Sequence, residues 1–420
     1  MALDTVPQPE LGQIDRMGGA DLVVGLLDAE HKGDAGAACG MVHEAIGQLS
    51  TAVRAVVVSN NSTGNPAPTG QPAAGDSQSS SVLYYSLPEP KAAGTPFERL
   101  MDAYQVVFAV GGRLGARACC VIRSEPRTLT PQWICRLVQP VLEMGFDLVA
   151  PRYTRLKMEG LLNRSILSPL SRALYGERMQ NPMGPDFGLS GKLLDRILGE
   201  NALKRQGFPI HPVASMVSTT VGGGLQICES SLGTRVQRPT NWADVSSLLA
   251  QVLGPVFLDV ESNAPSWQRI RGSRPVPGFG ALEPASAEGG GVDVSRMLES
   301  FQLGTQTLQD VWGLVLPPGT IIELRKLSRL PAEQFRMADD LWASIVYDFV
   351  LGHRLRTISR DHLLRSMTPI YLGWIASYAI ELETAGPQDV EIRLEQLSAA
   401  YEDRKPYLLS RWRWPDRFNP

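Results

Sequence analysis

The sequence lacks the features expected of a membrane protein or of a disulfide-bonded secreted protein. No apolar run reaches the roughly 18–20 residues of a membrane-spanning helix, and the first residues contain no apolar stretch typical of a signal peptide. The 420 residues include only five cysteines, without a CxxC pair, so buried free thiols in a reducing compartment are the simplest interpretation. We therefore expect a cytoplasmic protein without a transmembrane segment.

The sequence also lacks the short motifs of several enzyme classes. The five histidines form no HxH or HExxH arrangement, which argues against a zinc site. No GxSxG, GxxxxGK[ST] or GxGxxG motif occurs. Charge of neither sign is in large excess, because 40 basic and 43 acidic residues give a net charge of -3. Since nucleic-acid binding usually needs a basic surface, we do not expect nucleic acid as a partner.

The first 155 residues do contain a clear alternation of strand-like and helix-like segments. The predicted strands are the runs ADLVVGLLDAE, VRAVVV, SVLYYSL, ARACCVI and FDLVAPRY. Between them, the apolar spacing predicts helices, one of which ends at Gly111-Gly112 and another of which begins with Thr130 as its N-cap and Pro131. This alternation is typical of the α/β class, with a mostly parallel sheet and helices on both faces.

The length of the chain and a change of pattern near residue 240 predict more than one domain. We divide the chain into an N-terminal tail (1–19), a sheet domain (20–240) with a flexible loop (61–81), a helix and linker (241–291), and a helical C-terminal region (292–420). Apolar helices such as PIYLGWIASYAI need a surface to pack against, so a homodimer through the C-terminal region is one expectation.

Polar residues follow the predicted strands at the edge where parallel α/β sheets bind their ligands. These residues are Asp28, Glu30, Asn60, Asn61, Arg123 and Glu125. Further along, Asp186 is the lone carboxylate of the glycine-rich segment NPMGPDFGLSG. Two interpretations of Asp186 stay open, an acid directed into a cleft and an aspartate that closes a turn. In the C-terminal segment KPYLLSRWRWPDRF, packing of Trp412 and Trp414 on the protein itself is favoured over binding to a membrane or to nucleic acid.

The order of these segments resembles that of a GT-A-fold glycosyltransferase. The segments GLLDAE, VVSNNS, TLTPQWI, DLVAPRY and NPMGPDFGLSG carry the resemblance, which covers roughly residues 20–410. The chain is similar to the bacterial family-2-like transferases related to glucosyl-3-phosphoglycerate synthase and mannosylglycerate synthase. The resemblance implies a GT-A nucleotide-diphospho-sugar transferase domain followed by a helical region. It also implies sugar transfer, with retention, from a UDP- or GDP-sugar to a small or phosphorylated acceptor.

The resemblance further implies roles for individual residues. Those expected to bind the nucleotide sugar are Leu27, Asp28, Glu30, Ser59, Asn60, Asn61, Ser124 and Glu125. Asp186 is expected to act beside the donor sugar or the acceptor hydroxyls, with Gly184 and Gly188 on the acceptor side. Arg164 belongs to a basic group with Arg152, Arg155 and Lys157 that would suit a phosphorylated or carboxylated acceptor. The alternative for this group is a solvated basic surface.

The chain departs from the family at the positions that hold the metal ion. The family's Asp-x-Asp turn here reads Arg123-Ser124-Glu125, its metal-binding histidine reads Gln237, and Ala214 replaces an aspartate. Mg²⁺ or Mn²⁺ should therefore bind weakly, with Glu125 and Gln237 as the remaining oxygen ligands. Arg123 can instead bind diphosphate through its guanidinium group, which makes it a candidate catalytic residue beside Asp186.

These departures leave open whether the chain is an enzyme. It could be a transferase in which Arg123 assists the reaction. It could equally be an inactive pseudo-glycosyltransferase that binds a nucleotide, a sugar or a partner protein. The third alternative is a different α/β class.

Overall fold

The computed structural model describes residues 12, 14–16, 18–27, 35–49, 53–59, 82–86, 96–123, 128–199, 212–235, 242–281 and 291–414. The predicted loop 61–81 lies outside these residues. The described strands are β1 Leu22–Leu26, β2 Ala55–Ser59, β3 Val82–Ser86, β4 Ala118–Ile122, β5 Leu148–Thr154, β6 Glu177–Arg178, β7 Phe187–Ser190, β8 Ile227–Thr234, β9 Arg274–Pro275 and β10 Gly278–Phe279.

The described helices occur between the strands and throughout the C-terminal part of the chain. The α-helices are α1 Ala35–Gly47, α2 Pro96–Arg113, α3 Pro131–Met144, α4 Ser168–Tyr175, α5 Gly191–Gly199, α6 Pro212–Gly222, α7 Val245–Ser262, α8 Ala264–Trp267, α9 Val294–Thr307, α10 Gln309–Trp312, α11 Pro318–Leu327, α12 Asp339–Leu355, α13 Arg360–Ser366, α14 Thr368–Glu381 and α15 Pro387–Arg413. A π-helical turn, Asn163–Leu167, precedes α4, and two short 3₁₀ turns are Trp242–Asp244 and Ala332–Gln334.

The chain divides into two compact units whose segments alternate along the sequence. The first unit contains Met1–Thr154, Met183–Gln237 and Val276–Glu283. The second unit contains Arg155–Pro182, Arg238–Pro275 and Pro284–Pro420. The segment that contains α4 falls within the predicted sheet domain, 20–240, but it belongs to the second unit. The reason is that α4 packs against α15.

The first unit is built on one eight-stranded sheet. Its strand order is β10-β8-β5-β7-β4-β1-β2-β3, and only β7 runs antiparallel to its neighbours among the described strands. The central strands β1, β2 and β4 are buried along their whole length, as expected where helices cover both faces of a parallel sheet. The predicted α/β class with a mostly parallel sheet, followed by a helical C-terminal region, is confirmed.

The side chains of the central strands alternate between two helical layers. Leu22, Val24 and Leu26 of β1 share one apolar core with α1 and α3. On the opposite face, a β-carbon added at Gly25 would lie 2.8 Å from the Val107 side chain of α2. Close approach of α2 to the sheet therefore depends on a glycine at this position.

The prediction that helix α2 ends at Gly111-Gly112 is wrong, because the helix continues through both residues to Arg113. A β-carbon at Gly111 would lie 2.8 Å from Leu194, and one at Gly112 would lie 2.5 Å from Leu198. These glycines let α5 pack against α2. The left-handed residue after the helix is instead Gly115, with φ of 59°.

Helix α3 begins where the sequence predicted, although its cap differs in detail. Thr130 occupies the N-cap position in an extended conformation, but its side chain makes no capping hydrogen bond. Pro131 at the first helical position favours this start, and Gly145 ends the helix in the left-handed conformation with φ of 77°. The helix bounds thus follow from Pro131 and Gly145 more than from the threonine.

The sequence predicted five buried free thiols; four are confirmed, and the side chain of Cys39 lies outside the described residues. The four confirmed thiols are Cys119, Cys120, Cys135 and Cys228. Burial raises the pKa of Cys119 to about 12 and that of Cys228 to about 12, so both thiols are protonated at neutral pH. Because the thiolate is the reactive form, these residues act as small apolar core groups.

The second unit has an aromatic core that covers the apolar helix α14. Trp374 of α14 stacks on Trp342 of α12 with a centroid distance of 5.8 Å. On another side, a β-carbon at Gly373 would lie 2.8 Å from Phe301 of α9. The segment PIYLGWIASYAI is therefore buried within its own unit, so it gives no reason to expect a dimer.

The C-terminal tryptophans differ from each other in their surroundings. Trp412 is buried, makes an edge contact with Trp267 at 5.1 Å, and lies beneath the guanidinium of Arg354. Trp414 is 69% exposed. The prediction that both pack on the protein is confirmed for Trp412 and is wrong for Trp414.

Among the described helices, α7 alone is long and apolar enough to suit a membrane span by length and composition. Leu249, Leu253 and Phe257 on one side of α7 are fully buried, and α7 packs against α12 and α13. This packing is typical of a core helix.

Two buried ionisable residues lie on α12. Asp348 accepts hydrogen bonds from the Tyr407 hydroxyl at 2.8 and 3.0 Å, and Arg411 lies 3.2 Å away. Burial raises the pKa of Asp348 to about 7, against the opposing charge of Arg411. His353 contacts the Phe257 ring, and burial lowers its pKa to about 3, assisted by the charge of Arg360.

Asp348 and His353 should have opposite effects on stability between about pH 4 and pH 6.5. The contribution of Asp348 is fully present below its unfolded pKa of 3.8 and is lost as the pH rises to about 7. That of His353 is fully present above its unfolded pKa of 6.5 and is lost as the pH falls to about 3. In Asp348→Asn the free energy of unfolding should therefore rise more steeply with pH than in the unchanged protein. Urea denaturation over this pH range measures both curves, and parallel curves would contradict the assignment.

Gly188 of β7 offers a sharp test of how the sheet packs. A β-carbon there would lie 2.1 Å from the backbone oxygen of Leu137 in α3, and backbone cannot move aside as a flexible side chain can. We expect Gly188→Ala to lower the free energy of unfolding by about 3 kcal/mol or more. Gly40→Ala is the control, because Gly40 is exposed on α1 with nothing near its added β-carbon. The control should raise stability by about 0.5–1 kcal/mol in urea denaturation, whereas equal effects would disprove the close contact.

Candidate functional site

The candidate site lies at the carboxyl edge of the sheet in the first unit. The order of strands reverses between β1 and β4, which is where open α/β sheets bind ligands. Because β7 is antiparallel, its first residues lie at the same edge as the last residues of β4 and β5. This places Asp186, directly before β7, beside Arg123, directly after β4.

The carboxylate of Asp186 is the central group of the site. It is fully buried, and its Oδ1 accepts a hydrogen bond of 2.7 Å from the backbone N–H of Arg123. Its Oδ2 accepts a hydrogen bond of 2.5 Å from the hydroxyl of Tyr153. The Nε of Arg235, which directly follows β8, lies 3.9 Å from the same oxygen. One side chain thus joins the ends of β4, β5, β7 and β8.

Local irregularity in β5 places Tyr153 at this carboxylate. The pairing of β5 with β8 shifts between Arg152 and Tyr153, and such a bulge changes the direction of the following side chain. The ring of Tyr153 contacts Trp133 of α3 at 5.9 Å and lies 5.7 Å from the guanidinium carbon of Arg235. The contact of the ring with Trp133 helps to fix the Tyr153 hydroxyl, and the ring also borders the guanidinium of Arg235.

The side chain of Arg123 lies in a partly buried position beside Tyr104 of α2. Its Nε is buried and has no hydrogen-bond partner among the described residues. Burial is the largest influence on the pKa of Tyr104 and raises it. The charge of Arg123, its hydrogen bond to Tyr104 and the charge of Arg235 lower this pKa, whereas the charge of Asp186 raises it. Tyr104 therefore lies within electrostatic reach of both arginines, and its hydroxyl is protonated at neutral pH.

The balance of charge at this edge suits an anionic ligand. The carboxylate of Asp186 accepts from the backbone N–H of Arg123 and lies 3.9 Å from the guanidinium Nε of Arg235. The nearby charge of Arg152 is offset by Glu229 at 3.8 Å. Arginine binds phosphate and carboxylate groups through two parallel N–H donors. A phosphate-bearing ligand is thus the class that the described charges favour.

The described residues at this edge do not fit a divalent metal ion. Both oxygens of Asp186 already accept hydrogen bonds, and its carboxylate also forms an ion pair with Arg235. Within the described ranges, no group of three His, Cys, Asp or Glu residues could hold a metal. The proposed weak ligands Glu125 and Gln237 lie outside these ranges, so their role stays a prediction.

The predicted nucleotide-binding residues are only partly described. Leu27 is buried, and its N–H donates to the Ile122 carbonyl at 2.8 Å, which extends the pairing of β1 with β4. Ser59 ends β2 and is buried. The others lie outside the described residues: Asp28, Glu30, Asn60, Asn61, Ser124 and Glu125. Leu27 and Ser59 both lie at the edge of the sheet that carries Arg123.

The predicted acceptor residues occupy different surroundings. Gly184 packs against the Pro151 ring, and Gly188 lies within β7. In the second unit, Arg164 forms an ion pair with Glu391 at 2.9 Å. Ala214, in α6, is buried. Acceptor binding by Arg164, Gly184 and Gly188 stays a prediction.

The remaining basic residues of the second unit also contact the protein. Arg155 donates to the Asn181 side chain at 2.6 Å. Lys157 donates to the carbonyls of Leu382 and Glu383. These contacts fix the side chains, in contrast to a freely solvated basic surface.

Sequence reasoning missed three groups of the site: Tyr104, Tyr153 and Arg235. Tyr153 lies in the segment DLVAPRY, which carried the family resemblance, and Arg235 lies two residues before Gln237, where the chain departs from the family. Their residue types at strand ends were the available signal. Tyr104 lies within helix α2, away from the strand ends, so no comparable signal marked it.

Comparisons with known proteins identify related folds only. No protein-family model and no curated protein matches the chain. Among solved structures, the chain is similar to glucosyl-3-phosphoglycerate synthase from Mycobacterium tuberculosis in complex with Mn²⁺, uridine diphosphate and phosphoglyceric acid. The identity is 17% over 59% of this chain and 82% of that one, with a TM-score of 0.38. It is also similar to mannosyl-3-phosphoglycerate synthase from Rubrobacter xylanophilus, with 18% identity over 62% and 80%, and a TM-score of 0.40.

These structures belong to the group that the sequence resembles, so that part of the prediction is confirmed. Because the TM-scores are below 0.5, we base the functional proposal on the geometry of the site alone.

Replacing Asp186 by asparagine tests its central position. Both carboxylate oxygens accept hydrogen bonds, and an amide would replace one acceptor oxygen by an NH₂ donor and remove the negative charge beside Arg235. We expect Asp186→Asn to lower the free energy of unfolding by about 1–3 kcal/mol. Asp195→Asn, at an exposed position of α5, should change it by less than about 0.5 kcal/mol. Denaturant unfolding compares the two variants, and similar small effects would contradict the assignment.

Proposed function

We propose that the chain is a glycosyltransferase-like protein that binds a nucleotide-diphosphate sugar at the carboxyl edge of its sheet. The observation that carries this proposal is the arrangement of Arg123 and Arg235 around buried Asp186, beside the reversal of strand order. Nucleotides bind at such reversals in open α/β sheets, and guanidinium groups suit their phosphates. Leu27 and Ser59 would border the base and ribose.

Sugar transfer from such a donor leaves a diphosphate, on which negative charge grows as the bond to the sugar breaks. Guanidinium groups at this edge would stabilise that charge. Tyr104, protonated because burial raises its pKa, can supply a neutral hydrogen-bond donor. Retention at the sugar carbon, which the family resemblance implies, stays a prediction.

Asp186 has a different role from the one expected of a catalytic acid. Both of its oxygens accept hydrogen bonds from the protein, and it is fully buried. We therefore propose that Asp186 orients the site and does not attack the sugar or remove a proton. This assignment revises the sequence-based expectation that Asp186 is catalytic.

The same observation supports a second candidate function. If no described carboxylate is available to activate an acceptor, the site would bind the nucleotide sugar without transferring it. A cytoplasmic location and a homodimer stay predictions under either function. A small or phosphorylated acceptor for the transferase, which the family resemblance implies, stays a prediction.

Calorimetric titration with UDP-glucose and GDP-mannose, in the presence of Mn²⁺, tests the proposed binding. We expect one of these donors to bind with a dissociation constant of about 1 μM to 1 mM, the range typical of enzyme substrates. Uridine and guanosine are the controls and should bind much more weakly, because they lack the diphosphate. If neither donor binds, the proposed function is wrong.

Transfer is then measured as release of nucleoside diphosphate with and without phosphoglyceric acid. Acceptor-dependent release supports the transferase. Donor binding without any release supports the second candidate, the binding protein.

A further inference from the structure

We infer that a surface at the end of helix α15 docks the protein on an anionic lipid membrane. This C-terminal surface is defined by Arg269, Arg354, Leu355, Arg413 and Trp414, all of which belong to the second unit. The inference is independent of the proposed nucleotide-sugar site, whose described residues belong to the first unit. It gives a role to the segment KPYLLSRWRWPDRF, which the proposed function does not use.

Three segments of the second unit meet at the end of α15. Trp412 packs against Trp267 with a centroid distance of 5.1 Å, and the guanidinium carbon of Arg354 lies 4.2 Å from the Trp412 ring centre. Arg354 also donates a hydrogen bond of 2.8 Å from Nη1 to the Trp412 carbonyl. These contacts fix the end of α15 against α8 and against the end of α12.

The C-terminal surface surrounds this contact. Each of its residues is one of the three contacting side chains or lies within two positions of one of them along the chain. Two residues span at most about 7 Å even in an extended chain, so the surface is confined to one end of the unit. The backbone of Trp414 is fixed as well, because its N–H donates to the Ser410 carbonyl at 3.0 Å.

Two apolar side chains of the C-terminal surface are exposed to solvent. Trp414 is 69% exposed and Leu355 is 41% exposed. A single exposed leucine is common, whereas tryptophan is highly buried on average. Tryptophan is also enriched at the boundary between membrane and water, where its ring is apolar and its N–H stays hydrated. An exposed tryptophan on a fixed backbone therefore suits contact with lipid.

The three segments that meet here carry positive charge without carboxylates. Residues 263–275 and residues 350–360 each contain three arginines, residues 404–414 contain four basic residues, and none of these segments contains Asp or Glu. Arg269 and Arg413 are exposed, and Arg354 is half-buried. Basic residues close to an anionic membrane are attracted to its headgroups, and each strengthens binding about fivefold.

The described carboxylates that flank these segments do not cancel this charge. Glu261, Asp348 and Asp361 each form an ion pair with an arginine outside the C-terminal surface. Asp403 is exposed, but it lies ten residues before the last residue of α15, about 15 Å along the helix. The end of α15 therefore keeps an excess of positive charge.

The combination of charge and exposed apolar groups favours a lipid surface over another polyanion. Nucleic acid or an acidic protein would be attracted by the arginines alone. A membrane also takes up Trp414 and Leu355 at the boundary of its acyl chains, while arginine side chains stay among the headgroups. Because the net charge of the whole chain is -3, this positive end would also orient the protein on the membrane.

Sedimentation of the full-length chain with lipid vesicles tests the inference. We expect binding to phosphatidylcholine vesicles that contain about 30% phosphatidylglycerol, and about tenfold weaker binding to pure phosphatidylcholine vesicles. Raising the ionic strength from about 0.05 M to about 0.5 M should weaken the binding about tenfold or more, because salt screens the charges. Absence of binding to the anionic vesicles at the lower ionic strength would overturn the inference.

Variants of exposed residues identify the surface that binds. Arg269→Gln and Arg413→Gln should each weaken vesicle binding about fivefold, and Trp414→Ala should weaken it about tenfold. The matched controls are Arg329→Gln, after α11, and Ile392→Ala, near the start of α15, because both side chains are exposed outside the C-terminal surface. The controls should leave vesicle binding unchanged. Equal effects in the controls and in the surface variants would contradict the assignment.

Quenching by brominated lipid shows directly whether Trp414 enters the membrane. Bromine on the acyl chains quenches only those tryptophans that reach the lipid. The unchanged protein should therefore lose part of its tryptophan fluorescence on binding, whereas Trp414→Phe should still bind but show much less quenching. The same quenching in both proteins would disprove the position assigned to Trp414.

Other partners and the first unit give distinguishable results. Binding to single-stranded RNA that depends on Arg269 and Arg413, without binding to anionic vesicles, would reject a membrane in favour of nucleic acid. Binding of the sugar donor should be unchanged in Trp414→Ala. Failure of the membrane inference therefore leaves the proposed function intact, and the reverse also holds.

Discussion

The buried carboxylate of Asp186 is the interaction on which the candidate site depends. A carboxylate without water is stable only when hydrogen-bonded and paired with cations, and Arg123, Tyr153 and Arg235 supply these contacts. Because the three residues come from different strand ends, the same contacts also fix the relative positions of β4, β5 and β8. The geometry of the edge therefore depends on the contacts of this one side chain.

Glycines determine how closely helices approach the strands that carry these groups. Gly188 lies two residues after Asp186 and meets the backbone of α3, while Gly25 lies under α2. Helix α2 carries Tyr104, and α3 carries Trp133, which supports Tyr153. A larger residue at either glycine would separate these aromatic side chains from the charged groups they border. The packing of α2 and α3 on the sheet therefore affects the positions of the charged groups at its carboxyl edge.

The sheet could be predicted from the sequence because buried parallel strands are continuous apolar runs with a local signature. Arg123 was recognisable because it follows a predicted strand, and Asp186 because it is the lone carboxylate of a glycine-rich segment. Gly111 and Gly112 were misinterpreted, since a helix stop and a close helix contact require the same residue. Arg235 was missed for a related reason: its role arises only when β8 lies beside β5, a pairing between distant segments. The position of the Tyr153 side chain depends on a bulge in β5, which no local sequence pattern predicts.

Under the proposed function, Arg123 and Arg235 would give this edge a property that a bound metal would not. A metal ion is shared between protein and ligand, so its affinity and availability contribute to the binding equilibrium. Guanidinium groups keep their charge at every physiological pH and remain with the protein when the ligand leaves. The free-energy cost of the guanidinium groups arises during folding, because their charge must be partly desolvated near buried Asp186. Asp186 carries the described negative charge beside Arg235, so its carboxylate offsets part of the cost of holding a fixed cation at this edge.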